Sequence, residues 1–337
     1  IEAALSNRSF VLTAACPGAG KTQVIVNRIM YLSNFGMTYK SSHIPENISI
    51  ENIIELREFL NSKIGKIPIC LTKYSVPISQ IAVITFTKAA AVNMKDRYTK
   101  ISGSSNTPFF GTIHSLFYRL LKEYRNFTII SEKEQYKVIR EVLKNYSDNA
   151  KLEEIRQIIN EISVYKSKKL LRLNHETKVD YNVFMECYKA YEAYKNEKSM
   201  LDFNDIIICS IRLFETNKDI LEKYRSRFKH ILVDEFQDCD SEQIHMLKLL
   251  SGCSNLFAVG DEDQCIYGFR GSIPDCMVEF ERYFNGGVKF FLNKNYRSSS
   301  DIIEISRKLI SKNKERNVKE MVGVREERGT VTIIKYK

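Results

Sequence analysis

The stretch AACPGAGKT, Ala14 to Thr22, restricts what this chain can fold into more than any other. Before it, residues 9–15 (SFVLTAA) form a short apolar run rich in β-formers, which predicts a buried strand. After it, residues 23–35 (QVIVNRIMYLSNF) place Val24, Ile25, Ile29, Tyr31 and Leu32 at helical spacing. A glycine-rich loop between a strand and a helix is the setting of a phosphate-binding loop. Gly18 and Gly20 let the backbone turn and present N–H groups to phosphate oxygens. The N-terminus of the helix adds partial positive charge. Lys21 can reach the β- and γ-phosphates of a nucleotide, and the Thr22 hydroxyl can ligate Mg²⁺. Ala15, Cys16, Pro17, Ala19 and Gln23 complete the candidate nucleotide loop. The general pattern G-x-x-x-x-G-K-[ST] has glycine where this chain has Ala15. Ala15 is the last residue of the predicted strand and needs no positive φ. A glycine turn that binds nothing is the competing reading, and a second motif is needed to decide.

The chain has 337 residues, enough for about two domains with a sizeable core. Lys+Arg number 51 against 41 Asp+Glu, a net charge of +10, which suits a polyanionic partner and equally a merely basic soluble protein. The eight cysteines are scattered, with no C-x-x-C pair and no Cys/His cluster at zinc spacing, so free thiols in a reducing cytoplasm are expected. No apolar run approaches the length of a membrane span and no signal peptide opens the chain. The opening IEAALSN reads as the middle of a helix, so the chain is expected to be cut from something longer.

Three of the six prolines fall within 36–77, which reads as an insertion made of a loop, a helix near 49–64 and another loop. Strand patterns return at 79–87, 230–236, 255–261 and 288–293, and a helix pattern at 88–101. Residues 115–211 are almost all helical in pattern and rich in Lys and Glu. Strands alternating with helices predict a parallel α/β sheet, interrupted by an inserted all-helical subdomain.

The second motif is ILVDEFQD, 231–238, which puts two carboxylates at the end of an apolar strand. Ligands of open parallel sheets gather at the C-terminal ends of strands. Asp234 can hold Mg²⁺, and Glu235 can orient and deprotonate an attacking water. Two acids after a strand are often only a solvated strand end. Paired with the loop at Gly18–Thr22, they favour a nucleotide hydrolase.

The chain resembles the N-terminal half of UvrD/Rep/PcrA-type superfamily 1 DNA helicases. The matching motifs run in order: ACPGAGKT (15–22), VITFTKAAAVNMKDR (83–97), GTIHSLFYRLLK (111–122), LDFNDIII (201–208), ILVDEFQDCDSEQ (231–243), AVGDEDQCIYGFRGS (258–272) and LNKNYRSSSDII (292–303). Seven ordered motifs spanning nearly the whole chain are far more specific than any one of them. The family tolerates alanine at the first loop position. The resemblance implies a RecA-like ATP-binding motor domain over 1–119 and 203–328, a helical subdomain over 120–202, and the start of a second motor domain at 329–337. It implies an ATP- and Mg²⁺-dependent helicase that moves 3′→5′ on single-stranded DNA, engages duplex junctions and works in the cytoplasm. Lacking the second domain's arginine finger, the chain alone is expected to be nearly inactive.

Residue by residue, the resemblance makes Lys21 and Thr22 the phosphate and metal contacts, Asp234 a metal ligand and Glu235 the general base. Gln264 resembles a γ-phosphate sensor, Arg297 a γ-phosphate contact and Tyr296 the adenine stacker. Phe86, Tyr267 and Phe269 resemble aromatics that touch bases, and Thr85, Thr87, Thr112 and His114 contacts to the strand. On composition alone Phe86 and Phe269 read as core residues and His114 as a structural histidine. Asp202 and Asp205 are either surface acids or a helix cap. The chain departs from the family in having Gln23 where arginine is common, and Phe269 where tryptophan is common. A motor subunit of a helicase–nuclease complex and a non-hydrolysing ATP- and DNA-binding module remain as alternatives.

Overall fold

The computed structural model describes the chain except for residues 43–47, 63–70, 147–150, 171–176, 178, 253, 267–271, 326, 328, 331 and 333–337. Ten strands are described: β1 (Phe10–Ala15), β2 (Ile81–Thr85), β3 (Phe109–Thr112), β4 (Thr128–Ile129), β5 (Met200–Leu201), β6 (His230–Val233), β7 (Asn255–Gly260), β8 (Val288–Leu292), β9 (Lys294–Ser299) and β10 (Val322–Arg325). Six of them make one sheet in the order β3-β2-β6-β7-β1-β8. Every pairing in it is parallel. This is the RecA-like α/β architecture expected from the sequence.

The central strands β1, β2, β6 and β7 lack polar alternation because both of their faces are covered. β2 and β6 are buried at every residue. Val11, Val83, Leu232, Phe257 and Val259 of the sheet pack with Ile25, Ile29 and Leu32 of the helix Lys21–Phe35 and with Met94 and Tyr98 of the helix Lys88–Ser102. Each fully buried aliphatic side chain of this kind contributes roughly 1.5–3 kcal/mol. The helix Lys21–Phe35 also buries a cation, Arg28. Arg28 Nη1 donates to the carbonyls of Ala4 and Ser6, at 3.0 and 2.5 Å, and its guanidinium lies 5.4 Å from the Phe257 ring centroid. It therefore ties the short first helix, Glu2–Leu5, to the core.

The chain divides into two compact units. The first comprises Ile1–Thr112, Glu222–Cys239 and Leu250–Lys337, and the second Ile113–Leu221 and Asp240–Leu249. The helix expected in the 36–77 insertion is present as Ile50–Ser62. The start of a second motor domain expected at 329–337 lies largely outside the described residues. β3 carries no strand signal that was read from the sequence, because its FFGT runs straight into a helix at Ile113. The strand expected over 230–236 stops at Val233, because Glu235 adopts a left-handed conformation (φ 51°, ψ 48°) that opens a 3₁₀ turn over Phe236–Asp238.

Among the described residues, the regular structure of the second unit is helical except for the parallel pair β4–β5. Ile139, Leu143, Ile155, Ile158, Phe184 and Tyr191 form its core. Asp202 caps the helix Phe203–Thr216 in a capping box with Asp205, so the cap reading of these acids holds. Both acids are buried, and two lysines meet them there. Lys195 Nζ lies 2.9 Å from Asp202 Oδ2 and 2.5 Å from Asp205 Oδ2, and Lys166 Nζ lies 2.8 Å from Asp202 Oδ2 and also pairs with Asp205. Among the described residues, no helix is long and apolar enough to cross a membrane.

Candidate nucleotide site

β1 delivers the loop. Ala15 stays extended and in register with Leu292 of β8, and the following Cys16 N–H donates to the Leu292 carbonyl at 2.9 Å. A residue held in a ladder needs no glycine, which is why Ala15 fits. The turn falls to Gly18 (φ 70°) and Gly20 (φ 87°), both in the left-handed region that favours glycine. Gly20 caps the helix that begins at Lys21. Gln23, one turn on, donates from Nε2 to Asn27 Oδ1 at 2.9 Å. Thr22 stands half-buried beside Lys21.

β6 ends next to this loop. Lys21 Nζ lies 2.5 Å from Glu235 Oε2, an ion pair linking residues 214 apart in sequence. Gln237 Nε2 donates to the same oxygen at 2.9 Å. Asp234 is buried, its N–H donates to the Ile84 carbonyl at 2.8 Å, and its Oδ1 has no hydrogen-bond partner among the described residues. Burial, then the charge of Glu235, pushes its carboxyl up to about 6, with Lys21 opposing. A buried, unpartnered carboxylate oxygen beside a hydroxyl-bearing helix start is a hard-oxygen donor set of the kind Mg²⁺ accepts. The residues therefore fit the ion. Asp238, the third acid of the motif, is pushed up to about 6 in the same way and also leaves Oδ1 unpartnered among the described residues.

β7 ends in the acidic turn Asp261–Gln264. Gln264 Nε2 donates to Asp261 Oδ2 at 2.6 Å, and the Asp261 N–H donates to Gln237 Oε1 at 2.9 Å. β9 closes the loop from the other side. The Tyr296 N–H donates to the Gly18 carbonyl at 3.1 Å, while the Arg297 N–H donates to Asn295 Oδ1 at 2.8 Å. Tyr296 is 58% exposed. A Cβ on Gly18 would come within 2.7 Å of Arg297 Cβ and 2.8 Å of Asn295 Oδ1. Gly18→Ala is therefore expected to weaken nucleotide affinity by about 10-fold or more, since it combines a strained φ with a clash against β9 and costs about 1–3 kcal/mol. Titration with a fluorescent ATP analogue checks this, and unchanged affinity would show that β9 yields freely.

The expected DNA contacts divide. Thr85 and Thr112 stand opposite each other at the C-terminal ends of β2 and β3. Thr85 is buried and its Oγ1 donates to the Thr87 carbonyl at 2.9 Å, while Thr87 caps the helix Lys88–Ser102 by accepting from the Ala90 N–H at 3.1 Å. Phe86 between them is half-buried. His114 belongs to the second unit, where its ring meets Phe203 edge-on at 5.9 Å and burial lowers its pKa. Tyr267 and Phe269 lie outside the described residues.

Some site residues went unassigned in the sequence. Gln237 lies inside the quoted 231–238 motif, and a glutamine directly after an apolar strand was a usable signal. Arg316 and Lys319, which pair with the acidic turn, give no local signal because they stand more than 50 positions away.

A strand–loop–helix with Lys21 paired to Glu235 at the end of another parallel strand of the same sheet is the architecture of the P-loop nucleotide-binding class of protein. The model of the UvrD/REP helicase N-terminal domain matches residues 64–285, and the chain belongs to that family. The ATP-dependent DNA helicase PcrA of Staphylococcus aureus (strain Mu50) is 32% identical over 330 residues, covering 94% of this chain and 40% of the relative. PcrA of Staphylococcus epidermidis (strain ATCC 12228) is 32% identical over 332 residues with the same coverage. The chain thus spans about 40% of the length of the curated relatives it matches.

Proposed function

We propose that the full-length protein is an ATP-dependent DNA helicase or translocase, acting in the cytoplasm 3′→5′ on single-stranded DNA and at duplex junctions. One observation carries the reading: Lys21, Asp234 and Glu235 converge at the ends of β1 and β6, with β9 bringing Tyr296 and Arg297 against Gly18. Family membership and a net charge of +10 support DNA as the partner.

In this reading the N–H groups of the loop and Lys21 hold the phosphates of ATP, and Tyr296 offers its exposed ring to the adenine. Thr22 and Asp234 hold Mg²⁺, which neutralises phosphate charge when bound. Glu235 takes a proton from the attacking water at its carboxylate, with Gln237 orienting that carboxylate. Arg297 and Gln264 contact the γ-phosphate and report its presence. Thr85, Phe86, Thr87 and Thr112, at one edge of the sheet's C-terminal side, contact the DNA strand together with His114, Tyr267 and Phe269. The 337-residue chain, spanning 40% of its relatives, turns ATP over more slowly than the full-length protein.

Strand displacement tests this reading. The full-length protein should separate a duplex carrying a 3′ single-stranded tail in the presence of Mg·ATP, and leave a 5′-tailed duplex intact. Separation of the 5′-tailed duplex alone would reverse the polarity, and none from either would remove the helicase assignment. Phe269→Ala should weaken single-strand binding by roughly 5- to 150-fold, the value of one base stack. It should leave the salt dependence unchanged, because no phosphate contact is lost. A salt series of binding titrations checks both, and full affinity with lowered thermal stability would make Phe269 a core residue.

A further inference from the structure

The acidic turn after β7 is a costly thing to bury. Asp261 is 0% exposed, and Glu262 is also buried. Carboxylates taken out of water need partners. The partners come from a segment running over 316–319. Lys319 Nζ donates to Asp261 Oδ1 at 2.5 Å and lies 3.0 Å from Glu262 Oε2 and 3.3 Å from Asp263 Oδ2. Arg316 grips Asp263 with a two-pronged fork, Nε to Oδ1 at 3.0 Å and Nη2 to Oδ2 at 2.5 Å. The Asn317 N–H donates to Glu262 Oε1 at 2.9 Å. Two cations and a backbone N–H thus serve three consecutive acids.

The same turn faces the nucleotide site. Asp261 uses its second oxygen to hold Gln264 Nε2, and its own N–H fixes the amide of Gln237, whose other end holds Glu235. Because the Asp261 N–H must meet an oxygen, the Gln237 amide is oriented with its NH₂ toward Glu235. Beyond Lys319 the chain enters β10, which pairs with β9, and Arg325 Nη1 donates to the Arg297 carbonyl at 2.9 Å. A continuous path of charged and hydrogen-bonded contacts therefore joins Glu235, Gln264 and the strand that carries Tyr296 and Arg297.

We propose that Arg316 and Lys319 form an ionic strap whose work is to position Gln264 and Glu235 against the β9 side of the nucleotide site. They are positioning residues and touch no ligand. The proposal rests on the ATPase reading above. A strap serving only stability would leave catalysis intact wherever the protein stays folded. A positioning strap changes the rate of the chemical step more than the binding of ATP, because Gln264 and Glu235 act on the reacting end of the nucleotide.

The test uses full-length protein, Arg316→Gln, Arg316→Lys, Asp263→Asn and the double variant Arg316→Gln/Asp263→Asn. Lys319 is left alone, since its loss strands two buried acids. Three quantities are read: kcat and KM for ATP at saturating single-stranded DNA, and amide hydrogen exchange over 261–264 in protein without nucleotide. Arg316→Gln should lower kcat by about 10- to 100-fold, the cost of misplacing a reacting group by about 1 Å, with KM for ATP within about 3-fold. Exchange over 261–264 should speed up, and Arg316→Lys should recover part of both effects by restoring the charge without the fork. The double variant should match the worse single variant, Asp263→Asn, because both singles break the Arg316–Asp263 fork and Asp263→Asn also weakens the pair with Lys319. If Arg316→Gln does not fold, Arg316→Lys and Asp263→Asn carry the same comparison. Lowered thermal stability with unchanged kcat and unchanged exchange would overturn the proposal, as would single-variant effects that multiply. If the parent shows no DNA-stimulated hydrolysis, the ATPase reading fails, and the exchange data alone decide whether the strap holds the turn.

Discussion

Glu235→Gln in the full-length protein should lower ATP turnover by about 10²–10⁴-fold and leave ATP affinity nearly intact, the effect expected for loss of a general base. The geometry gives the reason for the split. Glutamine keeps the size of the side chain and an oxygen to accept from Gln237 Nε2, so the 3₁₀ turn that begins at Glu235 keeps its local contact. The ion pair to Lys21 at 2.5 Å is lost, which frees the lysine for phosphate and does not weaken ground-state binding. What disappears is the capacity to accept a proton. Retention of more than about a tenth of parental turnover would contradict the assignment of Glu235, since a true general base contributes at least about 10²-fold. A matching loss of affinity would instead assign Glu235 to holding the fold of the loop.

Lys195→Met should destabilise the second unit by about 3–5 kcal/mol, the range for removing one partner of a buried ionic cluster. Methionine keeps most of the apolar stem of lysine but leaves Asp202, Asp205 and Glu192 with Lys166 as their one remaining cation among the described residues. Burial alone would raise the Asp202 carboxyl, but Lys166 and Lys195 outweigh it and hold that carboxyl below the usual range. Burial alone would lower Lys195, but Asp202, Asp205 and Glu192 outweigh it and raise it. The signs fix the pH window. A depressed carboxyl contributes stability that is present above its unfolded value near pH 4 and is lost as the pH falls below it. A raised lysine contributes stability that persists up to its unfolded value near 10.4. The parent's second unit should therefore loosen selectively below about pH 4, and the variant should be loose already at neutral pH. Amide exchange in the helix Phe203–Thr216 reads this locally, which matters because a chain of two units need not unfold in one step. Unchanged exchange in Lys195→Met would mean that water reaches the cluster and screens it.

Much of the first unit was legible because its chemistry is local. The loop at Gly18–Thr22 and the pair Asp234–Glu235 announce themselves through short-range rules: glycine where φ must be positive, acids where a strand ends. The strands β1, β2, β6 and β7 read as largely apolar runs because both of their faces are covered, while β8 was legible from its FFL although Lys289 breaks the run and Phe291 is exposed. β3 escaped because Phe109–Thr112 is short and joins its helix without a turn signal. β9 escaped because its residues are mostly polar, and β10 because it is four residues long and largely exposed, so no periodicity marks either. The charge cluster of the second unit was invisible for a different reason. Lys166, Lys195, Asp202 and Asp205 look like ordinary surface residues of Lys- and Glu-rich helices, and only the tertiary fold turns them inward. The strap at Arg316 and Lys319 has the same character, a pairing across more than 50 residues that no window can hold. Thr85 and Thr87 show the converse. Their side chains have structural partners in the turn they build, so the motif that suggested DNA contacts also encodes the local fold.

The central claim is that the Lys21, Asp234 and Glu235 site is an ATPase engine coupled to DNA. Steady-state ATP hydrolysis by the full-length protein, measured with and without a mixed-sequence single-stranded oligonucleotide at saturating Mg·ATP, tests it most directly. Turnover should rise by an order of magnitude or more, to roughly 1–10³ s⁻¹ as for typical enzymes, when the strand is added, and Glu235→Gln should abolish that rise. Hydrolysis that is indifferent to DNA, or a DNA response that survives in Glu235→Gln, would contradict it.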